Sequence, residues 1–355
     1  MDLLLDRNTM TNKMRLKKHV NNPIITKEKE EANFSALRRI FILFVSVMIL
    51  GFQANAIERF KPTVTLFENF HQGFGRENDV TKYEHRRGYL GLKYKDDGPW
   101  SAQIIFDISA AYVDEDERLV FNADLKNASV TWKDYGFDVS AGIIKTNNFG
   151  LKEDAWGYRY IEASFEDVYR FAPSADLGIS VGYKFTDRLK ADFTFTNGKG
   201  HEVLKITDNF RYGFGATYTF PQQGLTLRAY YDYYTKENSG KSQHSTSLFL
   251  GYKNARFSLS GEYNYQFNRR FIAGADAGGL SVYSTVNLYK DFKYFARYDL
   301  KQSTDMDVFE AGNMIRTGIE YKPIKYISIA PNILADQVKG GKFATYFYLN
   351  LLVKF

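Results

Sequence analysis

Through most of this chain the polarity of the side chains reverses at every step. In the closing stretch "KFATYFYLNLLVKF" (342–355), Phe343, Thr345, Phe347, Leu349, Leu351, Val353 and Phe355 form one set, apolar but for a threonine. Ala344, Tyr346, Tyr348, Asn350, Leu352 and Lys354 form the other, which is mixed and wet. The same period of two runs through "LKADFTF" (189–195), "LTLRAYYDYY" (225–234), "RFSLSGEYNYQF" (256–267) and "MIRTGIEYK" (314–322). Successive side chains of an extended strand point to opposite faces, so each segment makes a strand with one oily and one polar side. A soluble sandwich alternates too. Here, however, the second face carries Lys, Arg, Asp, Glu and Tyr together, too much charge for a packed interior. Apolar outside and polar inside describes a membrane-spanning barrel, and lipid requires such a sheet to close on itself.

The pattern predicts sixteen antiparallel strands. They begin near Phe60, Arg86, Trp100, Asp124, Phe137, Ala175, Leu189, Phe210, Leu225, Gln243, Ala255, Leu280, Phe292, Asn313, Tyr326 and Lys342. Short turns such as 96–99, 134–136 and 290–291 alternate strictly with longer connections such as "GRENDVTKYEH", "DEDERLVFNA" and "RRFIAGADAGG". That is the arrangement of periplasmic turns and extracellular loops, with both termini on the periplasmic side.

The formal charge of +6 invites a nucleic-acid reading that its distribution does not support. Residues 1–56 hold 9 Lys/Arg and 5 Asp/Glu, leaving the rest of the chain at +2. No nucleic-acid partner is expected. Within that first stretch Arg38 and Arg39 precede an apolar run from Ile40 to Gly51, which ends in Ala54-Asn55-Ala56. This reads as a secretory signal over 33–56, too short for a membrane anchor. Residues 1–32 read as an unstructured extension or a misassigned start, and 57–355 as an outer-membrane barrel. Cysteine is absent, so neither disulfides nor thiol chemistry enter.

One connection, between the fifth and sixth strands, is far longer than the others: "TNNFGLKEDAWGYRYIEASFEDVYRFAPSA". Residues 154–170 read as partly helical, with Trp156, Tyr160, Phe165 and Tyr169 as spaced aromatics. A sixteen-stranded barrel is too wide for side chains alone to fill. An ordered segment at 147–173 folded inward would narrow it to a constriction, whereas one folded outward would cap the barrel or meet a neighbouring subunit.

Around this loop the chain resembles the phosphate-selective porin O/P family. The likeness rests on Lys145, Thr146, Phe149, Gly150 and Leu151, then an inserted helical loop, then Asp176-Leu177-Gly178. "HRRGYLGLKYK" is similar to the family's arginine-flanked second strand, and the likeness spans residues 86–200. It implies a Gram-negative outer-membrane channel, homotrimeric and anion-preferring, with basic residues in the lumen. Lys145 and Lys152 match the family segment as anion contacts, although lysines at a rim also snorkel. Alternation directs Arg87, Lys93, Arg211, Arg228, Arg297 and Arg316 inward, among inward carboxylates that include Asp107, Asp192, Asp299 and Glu320. Arg297 and Arg316 either line the channel or pair with Asp299 and Glu320. A likeness to outer-membrane barrels gives the terminal Phe355 a role as the signal read by the barrel assembly machinery.

Catalytic and metal chemistry find little to stand on. No two histidines of the barrel have ligand spacing, so no metal and no cofactor is expected. Ser245 adjoins His244, but adjacent strand residues face opposite ways, which counts against a nucleophile–base pair. The chain therefore reads as a porin rather than an enzyme: a water-filled channel for small anionic or neutral solutes, seated in outer-membrane lipid. The alternatives are a plugged or structural barrel, or a barrel enzyme.

Overall fold

The computed structural model describes residues 59–75, 80–113, 119–203, 209–235 and 240–355. The segments expected as an amino-terminal extension (1–32) and a signal (33–56), and the acidic run at 114–118, lie outside the described residues.

Among these residues sixteen strands form a single sheet. They are β1 (Phe60–Phe74), β2 (Thr81–Lys95), β3 (Trp100–Val113), β4 (Leu119–Asp134), β5 (Phe137–Lys145) and β6 (Ala175–Lys184). Then come β7 (Leu189–Thr196), β8 (Arg211–Phe220), β9 (Leu225–Tyr234), β10 (Gln243–Lys253) and β11 (Phe257–Phe267). The last five are β12 (Ala277–Tyr289), β13 (Phe292–Ser303), β14 (Gly312–Ile324), β15 (Ile327–Val338) and β16 (Ala344–Lys354). Each strand pairs antiparallel with its neighbours in sequence, and β1 pairs with β16 to close the barrel. The seam runs in unbroken register from Thr65↔Lys354 to Phe74↔Thr345. Beyond it Phe355 and Val64 exchange backbone bonds, and the Phe355 ring stacks on Tyr326 at 5.3 Å.

Alternation sorts the side chains as the sequence requires. Leu248 and Leu250 are 58% and 52% exposed on the outer face, and Ile315 and Leu349 lie exposed on it as well. Between such residues Asp232, Glu262, Asp299 and Asn350 point inward and are buried. Trp100, Tyr289, Phe292, Tyr321, Tyr326 and Phe355 cluster at the short-turn end, while Phe74, Tyr83 and Phe121 lie toward the other. Such aromatic girdles flank the apolar band of membrane barrels, where amphipathic rings prefer the interface.

Two strands begin earlier than their alternation suggests. β2 starts at Thr81, where Gln72↔Thr81 opens the pairing with β1, and β4 starts at Leu119. The sheet there continues past the apolar band, so residues such as Lys82 and Asn122 extend it without an oily face to mark them.

Candidate functional site

The connection between β5 and β6 folds into the barrel. Its neck is closed where the Thr146 amide donates to the Ser174 carbonyl (3.1 Å) and the Thr146 hydroxyl to the Pro173 carbonyl (2.9 Å). Helix α1 (Asn147–Trp156) follows at once and ends on Gly157, whose φ of 77° suits a left-handed helix terminus. A short helix α2 (Phe165–Val168) lies further on. The sequence reads as partly helical over 154–170, and α2 lies within that range, whereas α1 begins earlier, at Asn147. Asn148, Phe149, Lys152, Glu153 and Trp156 of α1 are all buried, so α1 has no single oily stripe to announce it.

Aromatic packing fills one side of the lumen. Trp156, Tyr158, Tyr160 and Ile161 of the loop bury against Phe67, Phe249, Tyr283, Phe295 and Ala330 of the wall. Tyr158 and Phe295 lie 4.7 Å apart, and Trp156 meets Tyr283 edge-on at 5.4 Å. Phe165 and Phe171 form a second cluster with Ala277, flanked by Phe309. Two wall glycines make room. A Cβ at Gly279 would overlap the Phe165 ring, and one at Gly318 would come within 2.7 Å of Phe295 Cζ.

Cations of the loop and of the wall then fix it in place. Lys152, fully buried, donates to Glu166 of α2, to Ser247 Oγ (2.6 Å) and to Asn264 Oδ1 (2.6 Å), with Glu262 at 3.3 Å. Arg228 grips Asp192 in bidentate fashion (2.6 and 2.9 Å) and donates to Asn148 Oδ1 of α1 (3.0 Å). Arg297 holds Asp299 (2.7 Å) and donates to the Ala163 carbonyl (2.5 Å). Arg316 reaches Glu162 (3.0 Å) and Asn332 (2.7 Å). Tyr160 donates to Glu320 at 2.9 Å, and Asn350 to the Tyr160 carbonyl at 3.2 Å. The sequence directed Arg228, Arg297 and Arg316 inward, the last two to line the channel or to pair, and left Lys152 as an anion contact or a snorkelling lysine; all four are buried and bond the loop. Arg297 takes the expected partner Asp299, whereas Arg316 takes Glu162 of the loop in place of Glu320.

The loop carboxylates feel this setting in opposite ways. Burial works against the Glu162 carboxylate, but Arg316, Arg86 and Arg297 together outweigh it and hold its carboxyl below the usual range. Burial pushes the Glu166 carboxyl up; Lys152 opposes the rise, and the nearby Glu262 and Asp232 charges add to it. Burial likewise raises the Glu153 carboxyl, against the pull of Arg159.

On the side facing β2, a cavity of about 480 Å³ remains, lined by both wall and loop. Its guanidiniums are Arg86, Arg87, Arg159, Arg170 and Arg211, joined by Lys199 and by Glu162, Asp167 and Glu202. Arg87 and Arg211 stand among them as alternation suggests, with Arg87 Nε 3.3 Å from Asp107 and Arg211 NH1 3.1 Å from Asp232. Lys93 and Lys145 are exposed but do not line this cavity; Lys145 lies 3.3 Å from Asp154 of α1. The sequence reading missed Arg86, Arg159 and Arg170. Arg86 escapes simple alternation because Phe67↔Arg87 is followed by Glu68↔His85, a bulge that lets two successive arginines serve the lumen. His244 and Ser245 part as expected: His244 bonds the outward Tyr231 hydroxyl (2.7 Å), and Ser245 is buried inside.

No protein-family model and no curated protein sequence matches the chain. Solved structures do. OprB of Pseudomonas putida superposes with a TM-score of 0.65 at 9% identity, covering 85% of this chain and 96% of that one. OmpF of Salmonella typhi, solved with daunomycin, gives 0.64 at 10% identity, over 83% and 97% of the two chains. The anion-selective porin of Comamonas acidovorans gives 0.63 at 13% identity, over 83% and 99%. At such identities the likeness is one of architecture, and the architecture is that of the outer-membrane porins.

Proposed function

We propose that this chain is a Gram-negative outer-membrane porin that passes small hydrophilic solutes by passive diffusion and prefers anions. The observation that carries the reading is the loop at 146–174, folded inside the barrel and fixed there, beside a cavity rich in guanidiniums. Charge near the narrowest part of a pore sets ionic selectivity. The Lys145–Leu151 and Asp176–Gly178 segments support a likeness to the phosphate-selective O/P porins within that class. The proposal includes a signal peptide at 33–56 and recognition of Phe355 by the assembly machinery. It also includes a homotrimer. Support for subunit contact comes from Glu68 and His85, 2.5 Å apart on the outward face beside Leu66 and Phe121. Hydrocarbon is a poor neighbour for such a pair.

Planar-bilayer recording of the purified protein tests the reading. Discrete conductance steps with a reversal potential favouring anions are expected; absence of steps refutes the pore, and a cation-favouring potential refutes the preference alone. A plugged barrel is the second reading, favoured by the aromatic cluster around Trp156 and Phe295. Liposomes that fail to swell in small sugars would establish it.

A further inference from the structure

The guanidiniums around the cavity are not equivalent. Arg86 donates to the Ile161 carbonyl (2.7 Å) and lies 3.7 Å from Glu162. Arg87 is held by Asp107, Arg211 by Asp232, and Arg159 by both Glu153 (2.9 Å) and Asp167 (2.7 Å). Each of these charges is largely answered by a carboxylate. Arg170 is different. It is exposed, it lines the cavity, and no carboxylate lies within ion-pair distance of it among the described residues.

Its backbone is also unusual. Arg170 has a φ of 56°, a left-handed conformation that L residues with a full side chain adopt at a cost. Its neighbours hold it there. On one side Arg269 donates to the Tyr169 carbonyl at 2.6 Å; on the other, Gln266 donates to the Phe171 carbonyl at 2.9 Å. Phe171 is buried against Phe165, with ring centroids 5.5 Å apart. A glycine or asparagine would meet the backbone requirement with less strain, so the conformation gives no reason for arginine. The side chain does: it delivers an unneutralised cation from a fixed point on the loop.

We infer that Arg170 is the specificity-determining residue of the channel, the charge that sets its preference for small anions over cations. The inference rests on the porin reading above. A unit charge about 6 Å from a permeating ion changes its local concentration roughly threefold at the dielectric constant of water, and by more in a less polar pore.

The test compares wild type, Arg170→Asn and Arg170→Lys in planar bilayers under a potassium chloride gradient at low ionic strength, where screening is weak. Asparagine tolerates the left-handed backbone and removes the charge; lysine keeps the charge. Discrete conductance steps are expected in all three. The chloride-to-potassium permeability ratio should fall about tenfold in Arg170→Asn, about threefold from each ion, and return toward wild type in Arg170→Lys. An unchanged ratio in Arg170→Asn, beside an anion-preferring wild type, overturns the assignment while the porin reading stands. Equal losses in Arg170→Asn and Arg170→Lys also overturn it, because the effect would then follow shape and not charge. A wild type with no conductance, or with no anion preference, removes the reading beneath it and the inference together.

Discussion

Replacing Lys152 by methionine is the sharpest test of how the loop is held. The Lys152 ammonium is the one cation between the Glu166 and Glu262 carboxylates, and none of the three side chains is more than 1% exposed. Removing it leaves two buried carboxylates facing each other and strips Ser247 and Asn264 of their donor. Deleting one partner of a buried ion pair costs about 3–5 kcal/mol. At 1.36 kcal/mol per tenfold change, the balance between fixed and released loop should shift by about two to nearly four powers of ten. The sheet itself loses nothing, because the ladders of β10 and β11 are backbone bonds. Lys152→Met should therefore remain a folded barrel with a loosened loop. Hydrogen exchange is the assay: amides at 147–168 should exchange at least a hundredfold faster while strand amides keep their protection, and single-channel currents should become larger and noisier. Adding Glu166→Gln and Glu262→Gln should recover most of the protection, since no unpaired charge is then buried. Unchanged loop exchange in Lys152→Met, or a triple variant no better than the single one, would refute the reasoning.

Acid should act on the loop through Glu162. Its carboxyl is held below the usual range, so the anchor is complete above the ordinary glutamate value of about 4.3 and is lost as pH falls through the depressed one. The loss of loop protection that depends on Glu162 should appear only below about pH 4, and Glu162→Gln should abolish that acid limb. Gly279→Val would drive a side chain into the Leu300 carbonyl of β13 and into the Phe165 ring, an overpacking cost of about 1–3 kcal/mol or more that strains both sheet and loop. It should weaken near-ultraviolet circular dichroism and speed exchange around Phe165, around Phe171 and in the β12–β13 ladder beside Leu300. Deleting Phe355 removes its paired bonds with Val64 and its stack on Tyr326. The yield of heat-modifiable folded barrel on gels should drop, while barrels that do form should conduct as wild type. Normal assembly of the truncated chain would remove the proposed role of that residue.

How much of the site was legible follows from where each residue sits. In β9, Arg228 and Asp232 could be assigned inward from the period of two, and both are buried inside. Facing inward did not reveal what each would meet. Alternation turned Arg228, Arg297 and Arg316 inward and offered Arg297 and Arg316 partners on the wall, but it gave no contact with the loop. Their partners, Asn148, Ala163 and Glu162, belong to a loop whose path depends on contacts far away in sequence. Arg86 was hidden by a bulge, and Arg159 and Arg170 lie where no periodicity operates.

The sequence by itself determined the barrel: sixteen strands, their order and their inside and outside. It could do so because every strand pairs with its neighbour in sequence and lipid enforces one oily face on each. Tertiary structure alone decided the interior. Which arginines are spent fixing the loop and which remain to meet a solute depends on where Trp156, Lys152 and Glu162 come to rest against the wall. Those positions are set by packing and charge pairing across the lumen, between residues that no local pattern relates.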